Sequence, residues 1–99
     1  MEIFDLMQMQ ADGYENRKVN VFYQNDLFKT RIIVLNPGDK IPECEMKTYV
    51  MFYVVKGKIL LKKNNELSEM NEGMLFISEP ALLSMETKEG ARILGIQIS

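Results

Sequence analysis

The side chains that could do chemistry crowd into one short stretch. Residues 43–46 read Glu-Cys-Glu-Met. If that stretch is a strand, Cys44 and Met46 share one face and Glu43 and Glu45 the other, because side chains alternate with period two. A thiol and a thioether together suit a soft metal. A lone thiol becomes reactive only beside a cation or a helix terminus, and Lys47 would point to the opposite face. The same two residues also pack well as apolar groups. Two carboxylates on one face could hold a divalent cation or pass a proton. They could equally be a charged sheet edge that discourages aggregation. Tyr49, Phe52, Tyr53 and Tyr23 could line a ligand site or fill a core. Arg31 and Arg92 each lie in an apolar strand pattern. Facing inward, a guanidinium would clamp a carboxylate or phosphate; facing outward, it would be an ordinary surface arginine. The chain has no histidine. That removes the commonest metal ligand and the usual proton carrier near neutral pH. No glycine spacing resembles a phosphate-binding loop.

These residues need a scaffold, and the composition limits what it is. Ninety-nine residues make one domain. Apolar residues at 46% and charged residues at 26% are globular values. A domain this small buries a modest share of its surface, so burial at a subunit interface would help. The net charge of −2, with basic residues scattered, gives no field for nucleic acid. A single cysteine excludes an internal disulfide and points to a reduced thiol in the cytoplasm. The start carries Glu2 and Asp5 and no basic segment, so it does not read as a secretory signal. The longest apolar run, residues 49–55, is too short to span a membrane. Neither a nucleic acid nor a membrane is an expected partner.

Strand patterns fill the chain after residue 13. Residues 1–13 fit a short strand followed by a helical turn, with Ile3, Phe4, Leu6, Met7 and Met9 as its apolar positions. Such a strand could pair with a sheet edge of its own or another subunit. Asp12-Gly13 marks a turn, and residues 14–18 read as a loop. Val19, Val21 and Tyr23 alternate as in a strand. Asn25-Asp26 reads as a hairpin turn, and residues 27–35 are rich in β-branched residues. Asn36-Pro37-Gly38-Asp39 is a strong turn. Residues 41–46 and 49–55 follow as strands, the second apolar enough for burial on both faces. Lys56-Gly57 is expected to break it, with residues 58–63 running back. Asn64-Asn65, Asn71-Glu72-Gly73, Ser78-Glu79-Pro80 and Lys88-Glu89-Gly90 separate the remaining strands, 67–70, 74–77, 81–86 and 91–98. Short strands at regular spacing predict an all-β sandwich or barrel.

The spacing from Gly38 to Gly57 resembles the first motif of the cupin superfamily, G-x5-H-x-H-x3–4-E-x6-G. Cys44 and Met46 stand where the two histidines would be, and Val50 where the glutamate would be. The block FYVVKG is similar to the motif's usual ending. Gly73 and MLFISEP resemble the opening of the second motif, G-x5-P-x-G-x2-H-x3-N. Leu83 or Ser84 then falls at the third histidine, and ARILGIQI resembles the closing strand. The resemblance implies a cupin-like double-stranded β-barrel, or jelly roll, over residues 27–98, with residues 1–17 as an N-terminal extension of the single domain 1–99. It does not bring the family's metal chemistry. Three imidazoles and a carboxylate are replaced by thiol, thioether and alkyl groups, with an alkyl or hydroxyl fourth, so no metal and no other cofactor is expected.

In this alignment Cys44, Met46, Val50 and Leu83 converge inside the barrel, with Phe52 and Met85 nearby and Tyr49 as a polar contact at the mouth. These seven residues are the expected ligand pocket. The expected function is metal-independent binding of a small molecule, as a sensor or accessory protein. An alternative is a small isomerase- or epimerase-like enzyme, or one with a non-standard site around Cys44. A further alternative is a dimeric interaction protein with a filled barrel. A homodimer is expected in each case.

Overall fold

The computed structural model describes residues Met1–Ser99. A 3₁₀ segment, Tyr14–Asn20, precedes eight strands: β1 Val21–Gln24, β2 Phe28–Leu35, β3 Lys40–Met46, β4 Val50–Lys63, β5 Glu66–Asn71, β6 Leu75–Ser78, β7 Ala81–Glu86 and β8 Ala91–Ile98. All pair antiparallel in one curled sheet with two halves. The first half runs β1-β2-β8-β4-β6 and the second β3-β7-β4-β5. The expected all-β class is therefore observed. No helix is long and apolar enough to cross a membrane.

β4 belongs to both halves. Residues 50–57 pair with β8 and residues 58–63 with β5 and β7. The sequence predicts a break at Gly57, with residues 58–63 turning back. Instead the strand continues through the glycine, with an irregularity between Val54 and Lys56. Gly57 has φ +86°, and a Cβ there would run into the Gly90 carbonyl oxygen. The glycine thus bends the strand from one half-sheet into the other.

Alternation along the strands then builds the interior. Ile33, Leu35, Val54 and Ile93 of the first half meet Ile59, Leu61, Met70 and Met85 of the second. Each such side chain contributes about 2 kcal/mol when buried. Val50, Ala81 and Leu83 form a second, smaller cluster nearer the other end. The end beside Gly57 is closed by Thr87, whose hydroxyl donates to the Lys58 carbonyl at 2.7 Å and accepts the Gly90 amide at 3.0 Å.

The turns follow local chemistry. Asn64 and Asn65 take φ of 47° and 71°, as a two-residue hairpin demands. Asn25 Oδ1 accepts the amides of Leu27 and Phe28. Asp39 Oδ2 accepts the Asn36 amide.

The N-terminal region departs from expectation. Residues 1–13 hold no strand; they hold only a turn, in which Asp5 Oδ1 accepts the amides of Met7 and Gln8. The turn docks on its own chain. Arg92, on the outer face of β8, donates from Nη1 to the carbonyls of Leu6 and Met9, both at 3.1 Å. Residues 14–20 are 3₁₀ rather than loop and strand, so β1 starts at Val21. Buried Asn20 fixes the entry to this segment: its amide donates to the Asp12 carbonyl and its Oδ1 accepts the Asp12 amide.

Candidate functional site

The end of the barrel opposite Thr87 is open and holds a cavity of about 430 Å³. Its floor is apolar. Ile33, Val50, Phe52, Leu83 and Met85 reach it from three strands. The pairings explain why they converge. Val50, Phe52 and Val54 of β4 lie across from Gln97, Gly95 and Ile93 of β8, and Arg31 of β2 lies across from the same Gly95. In the second half Cys44 pairs with Leu83 and Met46 with Ala81. A bulge between Ile41 and Cys44 lets both residues face inward, opposite Met85 and Leu83.

Cys44, Met46, Val50, Phe52, Leu83 and Met85 all line this cavity. Both residues aligned with the third histidine line the cavity; Leu83 is the buried one and the one paired with Cys44. Tyr49 is a correction. It is 55% exposed and does not line the cavity. Since Val50 points in, the residue before it points out. Tyr53 is exposed for the same reason, so burial of residues 49–55 on both faces does not hold. Phe52 stacks on Phe76 with ring centroids 6.1 Å apart. Tyr23 stacks on Phe28 away from the cavity. Arg92 holds the N-terminal turn and lies outside the cavity.

Of the polar lining the sequence offers Arg31 as an inward clamp, places Glu45 and Lys47 on the face away from Cys44, and gives no sign of the rest. Tyr14 and Arg17 come from the 3₁₀ segment, Lys29 and Arg31 from β2, Gln97 from β8, and Glu45 and Lys47 from the β3 side of the rim. Arg17 lies over the Tyr14 ring, 4.8 Å from its centroid. Arg31 is half-buried and makes no hydrogen bond or ion pair; the two ion pairs in the chain are Lys58–Glu69 and Lys63–Glu79. Burial holds the Arg31 pKa below its ordinary value; Tyr14 opposes this and the like charge of Arg17 adds to it. The guanidinium still carries its charge at neutral pH. One signal for Arg31 was present in the sequence. Lys29 and Arg31 share period two with Ile33 and Leu35, which are core residues. The unbroken run Ile32-Ile33-Val34 hid which face that was.

The metal site implied by the cupin alignment does not fit these residues. Val50 is 1% exposed, Leu83 is 4% exposed, and neither has a lone pair to offer. Cys44 is exposed, and its thiol donates only to the Glu45 carbonyl at 3.9 Å. No three cysteine, aspartate or glutamate side chains gather anywhere in the chain. A thiol and a thioether alone make a poor site for iron, manganese, nickel or zinc.

Solved structures of cupin proteins share this fold. A cupin superfamily protein from Desulfitobacterium hafniense superposes with a TM-score of 0.80 at 10% identity, over 94% of this chain and 85% of that one. The cupin domain of Cnp3 from Schizosaccharomyces pombe gives 0.72 at 22% identity; the match covers 80% of this chain and 61% of that domain. TT1209 from Thermus thermophilus gives 0.83 at 17% identity over 99% and 97%. No protein-family model and no curated protein matches the sequence. The chain therefore has a cupin fold, the double-stranded β-barrel, and identities this low carry the fold alone.

Proposed function

We propose that this chain binds a small organic molecule in the open end of its barrel, without a metal. The observation that carries the reading is the cavity of about 430 Å³, which sits where the fold's metal ligands would stand and is floored by alkyl, aromatic and thioether groups. Pockets of this size and lining suit a small, partly apolar guest. The thioethers of Met46 and Met85 adapt to varied shapes. A filled barrel would leave no such space. An enzyme built on Cys44 would need a base or a cation to activate the thiol, and its only hydrogen bond is to a carbonyl.

The test is a thermal-shift screen of metabolites on the parent and on Met46→Trp, which places a large ring in the cavity. A ligand present at about 100 times its Kd stabilises by about 2.7 kcal/mol, a Tm rise of about 10 °C or more for a domain this small. The expected result is at least one such compound for the parent and none for a folded Met46→Trp. If Met46→Trp unfolds by overpacking and nothing stabilises the parent, these residues are core.

A further inference from the structure

We propose that the guest is a small monocarboxylic acid with an apolar body, its carboxylate held by Arg31. The inference rests on the reading that the cavity binds a small molecule, and it specifies the class.

Charge is the first argument. Arg17, Lys29, Arg31 and Lys47 line the cavity against a single carboxylate, Glu45, in a chain whose net charge is −2. The positive charge is thus concentrated at one mouth of an acidic protein, and none of the four cations has an ion-pair partner. A field of this kind draws anions to the opening.

Geometry is the second. Arg31 projects from the inner face of β2, directly across from Gly95 of β8. A Cβ at Gly95 would stand 3.2 Å from Ile33 Cδ1, and 3.6 Å from both Arg31 Cγ and Phe52 Cε1. The glycine is hemmed in by the arginine stem, the phenylalanine ring and the isoleucine, so the Arg31 stem packs flat against β8 and carries its guanidinium along the cavity wall. A half-buried guanidinium with no partner forgoes the hydrogen bonds that would offset its partial desolvation. Its planar fork matches a carboxylate with two parallel N–H···O bonds.

The apolar floor is the third. A ligand carrying only charge would leave the half-buried apolar groups of Ile41, Met46 and Phe52 facing water. A carboxylate on a hydrocarbon or aromatic body satisfies both sides of the cavity at once. An inorganic phosphate engages the rim cations and leaves the floor wet.

The experiment is an amide NMR titration of the full chain with matched acid–amide pairs, benzoate with benzamide and hexanoate with hexanamide, and with inorganic phosphate. Gly95 is the reporter. The acids should move its resonance saturably and bind at least about tenfold more tightly than their amides, the worth of one charge-assisted pair. Arg31→Gln should bring acid affinity down to that of the amide and change amide affinity far less than acid affinity. Arg31→Lys should restore part of the loss. Raising the salt from about 50 mM to about 500 mM should weaken the acids and spare the amides; this arm decides the question on the parent protein if Arg31→Gln fails to fold. Amides binding as well as acids, acids unaffected by Arg31→Gln, or phosphate binding as tightly as the acids would each overturn the carboxylate proposal while leaving small-molecule binding in place. No saturation by any probe up to about 10 mM would overturn both.

Discussion

Single residues decide more here than their size suggests, and Gly57 is the clearest case. Its φ of +86° excludes side chains on backbone grounds, and a Cβ would strike the Gly90 carbonyl. Gly57→Ala should therefore cost about 3 kcal/mol, the sum of left-handed backbone strain and a backbone displacement. Gly73 has nearly the same φ, +88°, but nothing within 4 Å of its missing Cβ. Gly73→Ala should cost about 1 kcal/mol. Urea unfolding of the two variants measures the difference; equal costs would mean the contact with Gly90 relaxes freely. At this scale the cavity was partly legible. Cys44, Met46, Leu83 and Met85 follow from strand period alone once the cupin alignment supplies a direction. Tyr49 was misplaced by one residue of that same period. Tyr14 and Arg17 were not legible, because a short 3₁₀ segment has neither a repeating pattern nor a motif, and only tertiary packing brings it to the mouth.

Among the elements, the N-terminal segment is the one most loosely held. Its attachments are the two Arg92 bonds to Leu6 and Met9, the Phe4 ring 4.7 Å from that of Phe22 on β1, and the paired bonds of Asn20 to Asp12. Arg92→Ala should loosen residues 5–9 while the barrel stays folded, at a cost of about 1–2 kcal/mol. Limited proteolysis should then cut the variant near its start faster than the parent, with the far-UV spectrum unchanged. The turns were readable because Asn, Gly and Pro act locally on φ. β4 was not, because a glycine that ends a strand and one that bends it look alike in sequence. What distinguishes them is Gly90 lying against Gly57, a contact between residues far apart in the chain.

For the molecule as a whole, the outer surface of the first half-sheet is the notable liability. Tyr49, Met51 and Tyr53 of the β4 region lie on the face opposite the cavity, with Met51 paired to Ile77 and Tyr53 to Leu75. Ile77 is 59% and Leu75 54% exposed. The N-terminal segment does not supply the reason for association that the sequence suggested, since it docks on its own chain. This apolar face does. We expect a twofold homodimer formed through it, burying about 800 Å² per partner. Light scattering at micromolar concentration should give twice the chain mass, and Ile77→Lys should give a monomer with an intact barrel. A monomeric parent would refute it.

The position of β8 has a consequence for when the chain can become a protein. β8 is made last of the eight strands, yet it lies between β2 and β4 at the centre of the first half-sheet. Until it arrives, both of those strands present bare edges, and the inner residues of β2 have no neighbour on one side. Its pairing joins Phe28 to Ile98, so the decisive contacts span most of the sequence, the kind of topology that folds in milliseconds to seconds rather than microseconds. Until β8 pairs, seven strands wait with open edges, and those edges are what neighbouring copies at high concentration would find first.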